Sequence, residues 1–185
     1  MSDRSALDLT ETPGIRFDQL FEAHHNAIYR YCARRLGRFD AEDAAADVFT
    51  VAWRRLDDMP EGDARRAWLF GVAHRVVGNQ YRSRERRSRL WARLEQTTDR
   101  TNEDVEPGGD IDTLLTALDE LSRTDQELLR LSSWDGLTRT EIAHVLGIRE
   151  NAVDQRLHRA RNRLKVRLDR LDGEASSPTH KETPA

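Results

Sequence analysis

The side chains best suited to chemistry in this chain lie in a row at the spacing of one helix face: Asn151, Asp154, Gln155, His158, Arg159 and Asn162. Amide, carboxylate, imidazole and guanidinium groups in such a row are the donors and acceptors that read base edges in a DNA groove. The other face of the same stretch carries Val153, Leu157, Ala160, Leu164 and Leu168 at 3–4 spacing, which predicts a buried stripe. Just ahead, Thr138 with Glu141 three residues on is a capping-box start, followed by the apolar Ile142, Ala143, Val145 and Leu146. Gly147 then lets the backbone turn left-handed and stop the first helix. A short helix, a glycine turn and a longer basic helix form a helix-turn-helix pattern, whose second helix enters the major groove. An ordinary helical hairpin with a solvated charged face gives the same pattern, and the pattern alone leaves both readings open.

A second constellation interleaves aromatic and cationic side chains: Trp68, Phe70, His74, Arg75, Asn79, Tyr81 and Arg82, running into RSRERRSR at 82–89 with five arginines against one glutamate. Rings stack on unpaired bases, at about 1–3 kcal/mol each, while arginines neutralise phosphates. Packing of Trp68 and Phe70 in a helical core is the competing explanation. A third cluster is acidic. Asp40, Glu42, Asp43 and Asp47 crowd the start of a helix, where carboxylates favour its positive end. They suit a dipole-stabilised solvated face as well as a docking surface; as a metal-dependent nuclease site they lack a second ligand group. His24, His25 and Cys32 likewise lack a partner cluster at metal-ligand spacing. The chain shows no glycine-rich phosphate loop, zinc ligand set or G-x-S-x-G elbow, so neither an enzyme activity nor a cofactor is expected.

The elements that would position these groups are all helical. A polar N-terminus, residues 1–14, is expected to be disordered. A first helix over Ile15–Leu36 carries Phe17, Leu20, Phe21, His24, Ile28 and Tyr31 on one stripe. Gly37 ends it, and Asp40 is placed to cap the next helix, whose alanines allow close helix approach. The loop DDMPEGDA at 57–64 precedes a third helix from about Arg65 to Leu90. Residues 91–110 lack apolar periodicity and end in Pro-Gly-Gly, as a flexible acidic linker would. A second helical unit then spans 111–171, followed by a polar tail over 172–185. The expected fold is all-α: two small helical domains joined by that linker, the C-terminal one a helix-turn-helix.

The 185 residues are 37% hydrophobic and 34% charged, with a net charge of only −3. The distribution is more telling than the sum. Residues 91–120 carry two arginines against nine carboxylates, a net of −7, whereas residues 121–172 carry eleven Lys/Arg against eight carboxylates, a net of +3. A single cysteine, Cys32, excludes an internal disulfide framework. With no signal-peptide pattern and no apolar run approaching the roughly 18 residues of a membrane span, a cytoplasmic location without membrane insertion is expected.

Together the two units resemble a sigma factor of bacterial RNA polymerase, of the small extracytoplasmic-function type. DAEDAAADVFTVAWRR resembles the family's core-polymerase-binding helix, and ARRAWLFGVAHRVVGNQYRSRERR its helix for promoter melting and −10 recognition. LDELSRTDQELLRLSSWDGLTRTEIAHVLGIRENAVDQRLHRARNRLK resembles the −35-binding domain, and RLHRARNRL is a specific match. The resemblance implies that Asp40, Glu42, Asp43, Asp47, Phe49 and Trp53 dock on the polymerase β′ clamp helices, and that loop 57–64 holds a base flipped out of the −10 element. It implies that Arg65, Arg66, Trp68, Arg75, Asn79 and Arg82 open and read that element. Arg149, Asn151, Asp154, Gln155, Arg156, His158 and Arg159 would meet −35 DNA. The implied partners are bacterial core RNA polymerase, through its β′ and β subunits, and promoter DNA. An anti-sigma factor is a further candidate partner, because family members are commonly held by one that covers both domains. The linker corresponds to the segment near the polymerase active site and RNA exit path, where its charge would mimic RNA. A stand-alone helix-turn-helix regulator is the alternative, although it leaves the first unit unexplained.

Four positions depart from the family's pattern. Arg149 replaces a usual serine N-cap, a loss that typically costs about 0.5–2 kcal/mol of helix stability, though an arginine there can reach a phosphate. Asp154 stands where a non-acidic residue is common; a carboxylate there repels phosphate but can accept from cytosine N4. This predicts an altered −35 preference, with Asp154→Lys strengthening non-specific binding. Ala46 replaces a frequent glutamine on the polymerase-binding helix, and Arg75 a frequent asparagine on the −10 helix.

Overall fold

A computed structural model of the chain describes residues 12–94 and 110–175, with side chains at 12–89 and 112–173. Seven helices and no strand occur among the described residues. Of the stretches expected to lack regular structure (1–14, 91–110 and 172–185), residues 1–11, 95–109 and 176–185 lie outside them, whereas 13–14, 91–94, 110 and 172–175 are helical, contrary to expectation, because the neighbouring helices run on into them. Two compact units divide the chain, the first built from the three N-terminal helices and the second around the fourth, fifth and seventh.

In the first unit, α1 spans Pro13–Leu36, α2 Arg38–Arg54 and α3 Asp63–Leu94. The first helix starts two residues before the expected Ile15: Thr12 Oγ1 accepts from Ile15 N at 3.4 Å, and Pro13, which has no N–H to leave unpaired, occupies the first position. Gly37, at φ +82°, is the whole junction between α1 and α2; its N–H donates to Ala33 O at 3.0 Å. Because one left-handed residue makes the corner, α2 begins at Arg38. Asp40 therefore lies inside its first turn and is not its cap.

The core of this unit joins Leu20, Ile28, Tyr31 and Cys32 of α1 to Ala41, Ala44, Ala45, Val48 and Ala52 of α2 and Leu69, Phe70, Ala73 and Val77 of α3. The small α2 side chains let the helices approach closely. Tyr31 meets Phe70 edge-on at 5.4 Å, and the buried Arg35 guanidinium lies 3.6 Å over the Tyr31 ring. Cys32 is buried and forms no disulfide among the described residues. His74 Nδ1 lies 3.3 Å from Tyr31 Oη.

In the second unit, α4 spans Asp110–Asp119, α5 Arg123–Ser133, α6 Arg139–Leu146 and α7 Glu150–Ala175. Ser122 caps α5, its Oγ accepting from Asp125 N at 3.2 Å. The capping box forms as the sequence predicts: Thr138 N donates to Glu141 Oε2 at 2.7 Å, and Glu141 N to Thr138 Oγ1 at 3.3 Å. At its other end Gly147 adopts φ +63° and Ile148 N reaches back to Ala143 O at 3.0 Å, closing the helix end on itself. Val153, Leu157 and Ala160 of α7 are buried, and Leu164 packs against Leu118, Leu121 and Leu129.

Candidate nucleic-acid interface

The α7 face presents the expected row. Asn151, Asp154, Gln155, His158, Arg159 and Asn162 are all exposed, while Val153, Leu157 and Ala160 are buried behind them. His158 Nε2 and Asn162 Nδ2 lie 3.1 Å apart, and Arg159 Nε donates to Gln155 O at 3.2 Å. Arg156 is half-buried on the flank of the row. Arg149 is exposed and occupies the N-cap position, where its carbonyl accepts from Ala152 N at 2.9 Å.

Asp154 is not a free carboxylate. Its Oδ2 accepts from Arg139 Nη1 at 2.8 Å, and Arg139 Nε also lies 3.5 Å from Glu150 Oε2. The two carboxylates hold the proton of Arg139 more firmly than usual, chiefly through the hydrogen bond to Asp154. An Asp154 that accepts from cytosine, as the sequence suggested, would do so with Arg139 already bound at one of its two oxygens. Nor are all the basic residues of α7 available. Arg163 is held by the buried Asp125 at 2.6 Å, and Arg167 and Arg170 by Glu120.

On α3 the geometry sorts the expected residues. At 3.6 residues per turn, Trp68, Arg75, Asn79, Arg82 and Arg86 fall on one stripe, with Arg65 at its edge. Arg75, Asn79 and Arg82 are exposed and Trp68 is half-buried; Arg82 Nη2 donates to Asn79 Oδ1. Arg66 leaves this group. It lies on the opposite side of the helix, its guanidinium 5.1 Å over the buried Phe70 ring. Phe70 is a core residue, and Tyr81 donates its hydroxyl to Arg35 O. Phe70 is thus removed as a stacking candidate, while Trp68 and the 38% exposed ring of Tyr81 remain. Within the five-arginine run, Arg84 donates to Leu36 O at 3.2 Å and pairs with Asp40, and Arg89 pairs with Glu85 at 2.6 Å.

The acidic α2 face is narrower than the sequence suggested. Asp40 is engaged by Arg84, leaving Glu42, Asp43 and Asp47 exposed without an ion pair among the described residues. Phe49 is only 3% exposed, so it supports the face and is not displayed on it. Its ring packs at 4.8 Å from Phe21 and 6.3 Å from Phe17. Trp53, 50% exposed, leans on Phe17 at 5.1 Å. Next to loop 57–64 lies a polar cavity of about 120 Å³, lined by Arg16, Gln19, Met59, Glu61 and Arg65 among others.

Residues 20–87 match the family model described as Sigma-70 region 2, and residues 111–164 that described as Sigma-70, region 4. The chain is 31% identical to RNA polymerase sigma factor CnrH of Cupriavidus metallidurans, over 83% of this chain and 86% of CnrH. It belongs to the sigma-70 family, as a sigma factor of the extracytoplasmic-function type.

This sigma factor is also 30% identical to the extracytoplasmic-function sigma factor SigL of Mycobacterium tuberculosis, over 82% of its own length and 88% of SigL. It resembles the solved structure of CnrH in complex with the cytosolic domain of CnrY, with a TM-score of 0.58 and 29% identity over 87% of this chain and 89% of that one. The region 2 match takes in most of α1, all of α2 and the described side chains of α3 almost to their end; the region 4 match runs from α4 into α7. As a sigma factor it directs core RNA polymerase to promoters and initiates transcription, binding both the polymerase and promoter DNA. Among the described residues no helix is long and apolar enough to cross a membrane.

Sequence reasoning did not single out Arg139. Its signal is faint, a lone arginine inside a capping box, and its partners become visible only once the turn sets α6 against α7. It missed the Asp125–Arg163 clamp for the same reason.

Proposed function

We propose that the two helical units divide promoter recognition between them. The unit at 15–90 docks on core polymerase and opens the −10 element, and the unit at 111–171 reads the −35 element. One observation supports this reading: α3 and α7 each present a row of side chains of base- and phosphate-binding type, the stripe of Trp68, Arg75, Asn79 and Arg82 and the exposed row from Asn151 to Asn162. Arg65 stands at the edge of the first face, next to the polar cavity by loop 57–64, which suits it to a base turned out of the duplex. Glu42, Asp43, Asp47 and Trp53 form the exposed polymerase-docking face on α2, with Phe49 behind it.

The sigma factor itself carries no catalytic step; bond formation belongs to the polymerase. The acidic segment at 91–110 connects the units and faces the basic RNA path by charge complementarity, and the protein works in the cytoplasm, where its polymerase and promoters are. An anti-sigma factor is proposed as a regulator, supported by the solved complex of the similar CnrH with a domain of CnrY.

The test is transcription in vitro with purified chain, bacterial core polymerase and a library of promoter fragments. Discrete transcripts absent with core alone, sharing two upstream elements, are expected. Absence of core binding would refute the reading.

A further inference from the structure

Arg139 stands at the first position of α6, yet its side chain is drawn across to the recognition helix. Nη1 is hydrogen-bonded to Asp154 Oδ2 at 2.8 Å, and Nε lies 3.5 Å from Glu150 Oε2. Glu150 and Asp154 are four residues apart and so share one side of α7. The guanidinium thus lies beside the first turns of the helix whose N-terminal residues face base edges in this motif. It remains about half exposed.

Of the five N–H donors of a guanidinium, one on Nη1 is hydrogen-bonded to Asp154, and Glu150 approaches from the Nε side at ion-pair distance. Nη2 makes no hydrogen bond to either carboxylate. With its side chain 54% exposed, the guanidinium keeps donors beyond the one Asp154 takes for the planar fork that matches guanine O6 and N7.

We propose that Arg139 is a specificity-determining residue of this chain, reading a guanine at the −35 element, with Asp154 and Glu150 as the positioning residues that hold its fork. The inference rests on the reading of the second unit as the −35-binding module. It also reassigns Asp154, from an independent acceptor for cytosine to a support for Arg139. The charge balance favours a base over a phosphate. One cation between two carboxylates carries a net −1, which repels a phosphate but leaves the neutral acceptor edge of guanine acceptable. A carboxylate-fixed arginine also has less rotamer freedom to lose on binding.

The experiment uses the full chain with core polymerase and a promoter library randomised across the −35 element, sequencing the transcribed templates at several salt concentrations. The wild type must first enrich a −35 sequence; if it enriches none, the module assignment fails before the arginine is tested. Given that enrichment, Arg139→Ala is expected to lose about tenfold or more of the guanine preference at one base pair, leaving other positions unchanged. Asp154→Ala and Glu150→Ala should weaken preference at that same position, and each should add little on top of Arg139→Ala. Arg139→Lys, which keeps the charge but not the planar fork, should not restore it.

The double exchange Arg139→Asp with Asp154→Arg rebuilds an ion pair. Recovery of the wild-type preference by this exchange would make the pair merely structural and overturn the proposal. Uniform weakening across all sequences in Arg139→Ala, with a salt slope lower by about one, would make Arg139 a phosphate contact and also overturn it.

Discussion

Asp125 is charged yet 6% exposed, and its Oδ2 accepts from Arg163 Nη1 at 2.6 Å. The two ends of this pair are unequal, because the Arg163 side chain is 57% exposed and can be solvated alone. Removing the arginine strands a buried carboxylate, whereas removing the aspartate frees an arginine into water. Arg163→Ala should therefore lower stability by about 1–3 kcal/mol, and Asp125→Ala by less, in denaturant titrations of the full chain; the reverse order would refute the argument. Neither should alter which −35 sequence is preferred. His24 gives a second prediction at this scale. Burial first, and then the positive charges of Arg65 and Arg66, push its pKa below the usual 6.5. The unfolded chain thus binds the proton more readily than the folded one. Its stabilising contribution is full above pH 6.5 and is lost as pH falls through the lower folded value. Thermal melts should show a drop between pH 7.5 and pH 5.5 that is smaller in His24→Gln.

The α2 helix separates support from display within one element. Phe49 is buried among Phe17, Phe21 and His25, so Phe49→Ala should destabilise the first unit by about 3–5 kcal/mol, measured by chemical denaturation. Glu42, Asp43 and Asp47 are exposed, and replacing all three with alanine should leave the melt nearly unchanged. The same triple variant should weaken core-polymerase binding roughly three- to a hundredfold, at about 0.2–1 kcal/mol per exposed charge pair. Unaltered core affinity would exclude this face as the docking surface. Elements of this kind were legible where their determinants are local. The Thr138–Glu141 capping box and the left-handed Gly147 each act within a few residues, and the alternation of alanines on α2 announces its buried side. What the sequence did not disclose is which charges meet across helices. Asp40 and Asp154 looked like free carboxylates because their partners lie elsewhere in the chain, Arg139 fifteen residues from Asp154 and Arg84 on a different helix. Phe49 was placed among the docking residues by the family resemblance, and its burial against Phe17 and Phe21 emerges only when α1 packs on α2.

Across the whole molecule, the net charge of −3 conceals the basic surfaces, while the arginine count exaggerates them. Arg84, Arg89, Arg139, Arg163, Arg167 and Arg170 are all engaged by carboxylates of the chain itself. Only arginines whose charge is not already balanced release counterions when a phosphate approaches. Arg75 and Arg86, exposed on the α3 stripe, are of that kind, whereas Arg84 holds the corner between α1 and α2 through Leu36 O and Asp40. Promoter-complex formation by the reconstituted holoenzyme, followed across a salt series, should distinguish them. Arg75→Ala and Arg86→Ala are each expected to reduce the slope of log affinity against log salt by about 0.7–0.9. Arg84→Ala should leave that slope nearly unchanged while lowering the melting temperature, because the contact it loses lies within the protein. A slope reduced as much by Arg84→Ala as by Arg86→Ala would mean that the Asp40 pair opens on DNA, and that the arginine run acts as one undivided patch.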